Sequence, residues 1–272
     1  MNPTSSTPSL RAYRPRQFPD LIRVGSAHDG GYVLPASVVR ASGALLSLGV
    51  EANWEFEAAA LELNPALTIT CVDGTTGPEV IRDRALRELR RAALKLRPRK
   101  FLRMLGLYRQ AAAFRRFFAV HEFLPLMVGA ADGPGTASLA RLLEQARRGD
   151  PARWVLLKMD IEGAEYDSLA AAEGRLGRVS ALAIEFHELG RSWQRFEAAM
   201  RLLARDFVIA HVHGNNCLGY VPGADVPETL EVTLVHRELA PGALPVASAR
   251  YPLAGLDRPN DRRRPDLALH FE

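Results

Sequence analysis

Cysteine is scarce in this chain: 272 residues hold only Cys71 and Cys217. Two thiols cannot build a disulfide scaffold, and a reduced, cytoplasmic protein is the expected reading. Lysine is nearly as rare, three residues against 32 arginines. No apolar run reads as a helix that crosses a bilayer. The N-terminus MNPTSSTPSL lacks the basic start and apolar block of a secretory signal, so none is expected. No GxGxxG and no Gly-Pro repeat occur. With 47% hydrophobic and 24% charged residues, a disordered chain, a collagen and a coiled-coil rod are excluded.

The net charge of +4 is unevenly placed. Residues 82–116 carry 13 Lys/Arg against Asp83 and Glu88, a local charge of +11, which leaves −7 for the rest of the chain. The protein therefore reads as a mildly acidic body with one basic segment. Phe101, Tyr108, Phe114, Phe117 and Phe118 are interleaved in or beside that segment, a pattern also found in polyanion and membrane-surface binders. A solvated Arg-rich helix near the active site is the plainer reading, and nucleic acid is not the expected partner.

Short apolar runs alternate with helical stretches. Residues 1–20 read as a flexible N-terminal segment, and residues 21–272 as one domain with 80–120 as a basic helical insertion. Asp29-Gly30-Gly31 is a turn signal before a short strand at Tyr32-Val33-Leu34. Strands are expected at 44–49, 67–72, 123–128, 154–159, 179–186, 207–212 and 230–235. Helices are expected at 53–63 (with Trp54, Ala58 and Leu61 on one face), 163–173 and 191–205. Such alternation predicts βαβ units and a mostly parallel sheet. The two last strands are joined by about residues 213–228, too short for a helical crossover, which predicts an antiparallel hairpin at one edge.

In an open α/β sheet, ligands sit beyond the carboxyl ends of the strands. The first long strand ends at Gly49, where backbone can approach a ligand closely, followed by Glu51. The next ends at Asp73, placed to accept hydrogen bonds from ribose hydroxyls. Together they point to a nucleoside-type cofactor. A plain turn glycine and a helix-capping aspartate are the alternative.

The segment LKMDIEGAEYDSL, 157–169, crowds Asp160, Glu162 and Glu165 into six residues. Crowded carboxylates raise one another's pKa unless a cation or donors compensate. Acids in a first helical turn are favoured by the dipole, which accounts for Glu165 but not Asp160. Glu185 and His187 stand two apart, as do His211 and His213, so each pair projects to one strand face. Asn215 and Asn216 extend the second pair. Asp, Glu and His are the residue types that hold Mg²⁺, Mn²⁺ or Zn²⁺ or act as general bases. Cys217 reads as a buried thiol.

At LKMDIEGAEYDSL the chain resembles the FkbM-type family of S-adenosylmethionine-dependent methyltransferases, whose members carry D-x-E-G-x-E after a strand. HDGGYVLP, LLSLGVEANWEFE, IEFHE, HVHGNN and the Pro-Asn tail in LDRPNDRRRPDLAL add to the resemblance, which runs from about Ile22 to Phe271 without the basic stretch. Many members carry D-x-G-A-x-x-G as the first motif. Here it reads Ser47-Leu48-Gly49-Val50-Glu51-Ala52-Asn53, without the second glycine.

The resemblance implies an α/β, Rossmann-like seven-stranded methyltransferase sheet with an antiparallel last strand, and methyl transfer to a hydroxyl of a sugar or other small molecule. It places Gly49, Glu51, Asp73 and Asp132 at S-adenosylmethionine, with Asp132 near the adenine. His187 is the expected base, with Asp160 and Glu162 beside it. Asp160, Glu185 and His213 are the expected set for a divalent cation. The basic segment would suit an anionic metabolite as acceptor. Two other readings stay open: a metal-dependent hydrolase on a similar sheet, and a non-catalytic polyanion-binding protein.

Overall fold

The computed structural model describes residues 7–77, 79–81, 83, 86–87 and 109–272. Its centre is a seven-stranded sheet built from β3 (Ala44–Leu48), β4 (Thr68–Val72), β5 (Glu122–Leu124), β8 (Val155–Met159), β9 (Val179–Phe186), β10 (Phe207–Tyr220) and β11 (Pro227–His236). The order is β10-β11-β9-β8-β3-β4-β5. All neighbours are parallel except β11, which runs antiparallel to both β9 and β10. The expected α/β class, the mostly parallel sheet and the edge hairpin are all present.

The central strands form because they are largely apolar on both faces. Every residue of β3, β8 and β9 is buried, as expected of strands covered by helices on two sides. Leu46, Leu48, Leu157, Met159, Leu182 and Ile184 enter one core layer with α3 (Leu139–Arg147), α4 (Glu165–Ala171) and α5 (Leu189–Leu203). Leu45, Cys71, Leu156, Ala181 and Ala183 enter the other, with α1 (Ala36–Ala41) and α2 (Glu55–Leu63). The chain winds outward from β3 to β4 and β5, then returns to β8 on the far side of β3. That reversal opens a crevice at the carboxyl ends of β3 and β8.

Several boundaries differ from expectation. The run at 123–128 is split at Pro125 into β5 and β6 (Met127–Gly129), and β6 pairs with β7 (Thr136–Ser138) outside the main sheet. β2 (Gly31–Pro35) pairs with β1 (Leu21–Gly25) in its own two-stranded sheet. β10 continues through 213–220, so HVHGNN is strand and the hairpin turn is confined to 221–226. In α2 the buried positions are Phe56, Glu57 and Ala60, and Trp54 turns instead toward Phe114, Phe117 and Phe118.

Residues 7–20, expected as part of a flexible segment, touch the body of the domain at several points. Leu10 and Phe18 are buried, Tyr13 stacks edge-on against Trp193 and Phe196, and Arg16 bridges to Val246. Residues 1–6 lie outside the described residues, as do Phe101, Tyr108 and most of the basic segment. Residues 109–117 are helical. Phe114 is buried there against Phe118 and Phe123, so the aromatics of this helix serve packing. Among the described residues no helix is long and apolar enough to cross a membrane.

Candidate functional site

The crevice at the β3–β8 reversal holds two adjoining cavities of about 260 and 110 Å³. Gly49, Glu51, Asp160 and Glu162 line both. Gly49 follows β3 with φ +75°, and a Cβ there would overlap the Asp160 carbonyl oxygen. Only glycine admits that approach. The Asp160 amide donates to Leu48 O at 3.0 Å, which fixes the end of β8 against the turn.

Asp73 ends β4 and lines the smaller cavity. Its Oδ1 accepts from the Thr75 amide and hydroxyl, 2.7 Å each, and from the Thr76 amide at 3.1 Å. Its Oδ2 accepts from the Glu51 amide at 2.6 Å. Each carboxylate oxygen offers two acceptor positions, so Oδ2 keeps one for a ligand donor. Leu126, Met127 and Val128 give this cavity an apolar wall. Asp132 lies outside both cavities. Its Oδ1 accepts from the Ser138 amide at 2.9 Å and faces Arg141 at 3.7 Å, tying the β6–β7 loop to the start of α3.

The larger cavity is lined by Asp160, Glu162, Glu185 and His187 together with Lys158. His187 Nε2 lies 3.8 Å from Asp160, 3.6 Å from Glu162 and 4.0 Å from Glu185. Its Nδ1 lies 3.0 Å from Glu165 Oε1. Glu162 and Gly163 both have positive φ, which turns the chain sharply into α4 and aims Glu165 back under the imidazole. Glu165 Oε1 also accepts the amides of Ile161 and Gly163. Tyr166 donates its hydroxyl to His187 O at 2.6 Å, so the loop after β9 is held from below as well.

Asp160, Glu185 and His187 each offer a ligand atom within 4.8 Å of the others. His213 is not part of this group. Its Nδ1 faces Glu231 at 3.1 Å and its Nε2 faces Asp266 at 2.9 Å, so both ring nitrogens are engaged in the sheet edge. His211 is likewise bound to Asp257. Asn215 donates to Glu185 at 2.6 Å, and Tyr32 reaches both Asp160 and Glu185 at 3.4 Å. Cys217 is exposed rather than buried, because regular β10–β11 pairing stops at Asn215.

The electrostatics follow from crowding. Burial pushes the Asp160 carboxyl up, against the opposing charges of Lys158 and His187. Burial and the neighbouring Asp160 and Glu231 push Glu185 well up. Burial would lower His187, but the hydrogen bond and charge of Glu165, then Glu185 and Asp160, outweigh it and raise the imidazole to about 9. Burial also raises Glu51, with Asp160 and Asp73 adding to it. The cations that crowded acids require are thus Lys158 and a protonated His187.

Sequence reasoning missed four residues here. Tyr32 lay within HDGGYV, Glu165 was read as a dipole-favoured helix residue, Lys158 sat inside an apolar run and Glu57 near the start of an expected helix. Lys158 alone left a signal, being a charge inside a fully buried strand. The motifs at the two ends of the resemblance also meet. His28 Nδ1 lies 2.7 Å from Pro259 O, and Asn260 Nδ2 donates to Asp29 and to Glu231.

No family model and no curated protein matches this chain. Solved structures do share part of its form. Fibrillarin of Methanococcus jannaschii matches with a TM-score of 0.37 at 8% identity, over 74% of this chain and 73% of that one. A protein of Agrobacterium tumefaciens described as a predicted O-methyltransferase matches with a TM-score of 0.33 at 16% identity, over 74% and 80%. A precorrin-6y C5,15-methyltransferase of Geobacter metallireducens matches with a TM-score of 0.35 at 11% identity, over 74% and 86%.

Proposed function

We propose that this chain is an S-adenosylmethionine-dependent methyltransferase acting on a hydroxyl of a sugar or another small molecule. One observation carries the reading. The close-approach glycine turn, a carboxylate with a free acceptor position and a compact acid–imidazole group all open on one crevice at the sheet reversal. The resemblance at D-x-E-G-x-E supports it from the sequence.

The residues fit such a cofactor. Asp73 Oδ2 has an acceptor position for a ribose hydroxyl, and Gly49 lets the turn backbone lie against the ligand. The apolar wall at Leu126, Met127 and Val128 suits a base. Glu51, Asp160 and Glu162 give the shared wall a negative potential that favours a sulfonium. When bound, the cofactor supplies a methyl group on a positively charged sulfur.

The chain's own residues then align the acceptor hydroxyl, an effect worth roughly 7–11 kcal/mol in well-oriented reactions. A hydroxyl is a weak nucleophile at neutral pH and needs a proton acceptor. Sequence reasoning gave that role to His187. Its surrounding carboxylates keep the ring protonated at neutral pH, so Asp160, on the cavity wall, is the proposed acceptor, and His187 holds it in place. Glu162, 78% exposed on the rim, would contact the acceptor molecule.

A second reading rests on the proximity of Asp160, Glu185 and His187. They would hold a divalent cation that polarises the hydroxyl. The mixed oxygen and nitrogen set suits Mg²⁺, Mn²⁺ or Zn²⁺. Under either reading the acceptor is a small molecule, and the location is the reduced cytoplasm that two unpaired thiols favour.

Calorimetric titration with S-adenosylhomocysteine tests the function. Micromolar binding that weakens at least tenfold in Asp73→Ala supports it. Absence of binding, with thermal stabilisation by divalent cations alone, favours a hydrolase on the same sheet.

A further inference from the structure

Lys158 is the fourth of the five residues of β8, and its side chain is only 6% exposed. It lies among groups from three other segments and the end of its own strand. Its Nζ donates to Gly49 O in the turn after β3. It stands 3.6 Å from Asp160 Oδ2 at the end of its own strand and 6.0 Å from the centre of the Tyr32 ring on β2. Glu57 of α2, itself buried and bound by the Ser47 hydroxyl, feels its charge. A chain that uses 32 arginines and three lysines places one lysine here. A compact ammonium can enter a gap between a carbonyl and a carboxylate, whereas a planar guanidinium needs a wider one.

We propose that Lys158 is a positioning residue: its ammonium ties the Gly49 turn to the Asp160 carboxylate, so that the ligand-binding turn and the proton-accepting group keep one register. The inference rests on the methyltransferase reading for what the register serves, but not for the tie itself. Three other bonds converge on the same turn: Gly49 N to Val72 O, Asp160 N to Leu48 O and Glu51 N to Asp73 Oδ2. None of these reaches the Asp160 carboxylate. The Lys158 ammonium does, and the Tyr32 hydroxyl meets the same carboxylate from the same side of the sheet at 3.4 Å.

The competing account is that Lys158 only neutralises buried Glu57. The two accounts part once Glu57 is made neutral. Lys158→Met, Glu57→Gln and the pair together are compared in the full chain, with folding verified by thermal melting. Three quantities are read: amide hydrogen exchange over residues 49–53, affinity for S-adenosylhomocysteine, and kcat against acceptor KM.

If Lys158 positions the turn, the double variant exchanges at least tenfold faster over 49–53. It binds S-adenosylhomocysteine about tenfold more weakly and loses about 100-fold in kcat with KM nearly unchanged. If it only neutralises Glu57, the double variant matches the wild type in exchange and affinity, and the proposal is overturned. Lys158→Arg keeps the charge and serves where the double variant does not fold. Wild-type exchange and affinity in that variant would also overturn the proposal, and faster exchange supports it. Failure of the wild type to bind S-adenosylhomocysteine would remove the methyltransferase reading, while the exchange data would still decide the role of Lys158.

Discussion

Glu165 and His187 form a buried pair: Glu165 Oε1 lies 3.0 Å from His187 Nδ1 and also accepts the amides of Ile161 and Gly163, 3.1 Å each. One carboxylate oxygen therefore fixes both the tight turn after β8 and the orientation of the imidazole. Its partner oxygen, Oε2, is buried and has no hydrogen bond among the described residues, where the contacts run through Oε1.

Glu165→Gln keeps the shape but puts a neutral amide under the ring. Two amide hydrogen bonds can persist while the charge-assisted one is lost. We expect a stability loss of about 1–3 kcal/mol and a fall in kcat of at least tenfold, with cofactor affinity within threefold of wild type. Urea denaturation and steady-state kinetics measure these. Unchanged kcat would show that the orientation of His187 is not used.

The metal reading makes a separate demand. If Asp160, Glu185 and His187 hold a divalent cation, dialysis against chelator abolishes turnover and Mg²⁺, Mn²⁺ or Zn²⁺ restores it. Glu185→Gln then weakens metal affinity by at least tenfold in a calorimetric titration. Full turnover in chelator leaves only the proton-acceptor role of Asp160.

The central strands could be read from sequence because burial on both faces leaves unbroken apolar runs: VSALAIEF matches β9 residue for residue. The end of β10 could not be read in this way. His213, Asn215 and Asn216 look like loop residues, but their partners are remote. Asp266 lies 53 positions from His213, Glu185 lies 30 from Asn215, and Asp261 lies 45 from Asn216. Polar residues with such partners can be buried in a strand, and no local pattern announces it. The same reason misplaced His213 among the metal ligands. Strand periodicity puts it on the same face as His211, but Glu231 and Asp266 claim both nitrogens. Asp132 failed differently, since a short loop after β6 turned it toward Ser138 and Arg141, away from the crevice.

Gly49 was legible from its place after an apolar run, and the structure sharpens what it demands. Gly49→Ala meets a positive φ, worth about 1–3 kcal/mol of strain, and an overlap with a backbone carbonyl that cannot swing aside. We expect a thermal midpoint lowered by several degrees and loss of S-adenosylhomocysteine binding. A variant with wild-type melting and affinity would mean that the turn is not held against Asp160.

His213 predicts how stability varies with pH. Burial would lower its pKa, but the charge of Glu231, the hydrogen bonds to Asp266 and Glu231, and the charge of Asp257 raise it to about 10. The unfolded imidazole titrates near about 6.5. The folded state therefore binds the proton more tightly, and its contribution to stability is complete below about pH 6.5. That contribution is lost as pH rises through the window from about 6.5 to 10. Urea midpoints measured from pH 6 to 9.5 should fall. The slope should flatten in His213→Gln, whose amide still donates to one carboxylate but carries no titrating proton. A wild-type midpoint that rises over this range, or an equal slope in the variant, would show that the Glu231–His213–Asp266 group does not hold its proton in the folded chain.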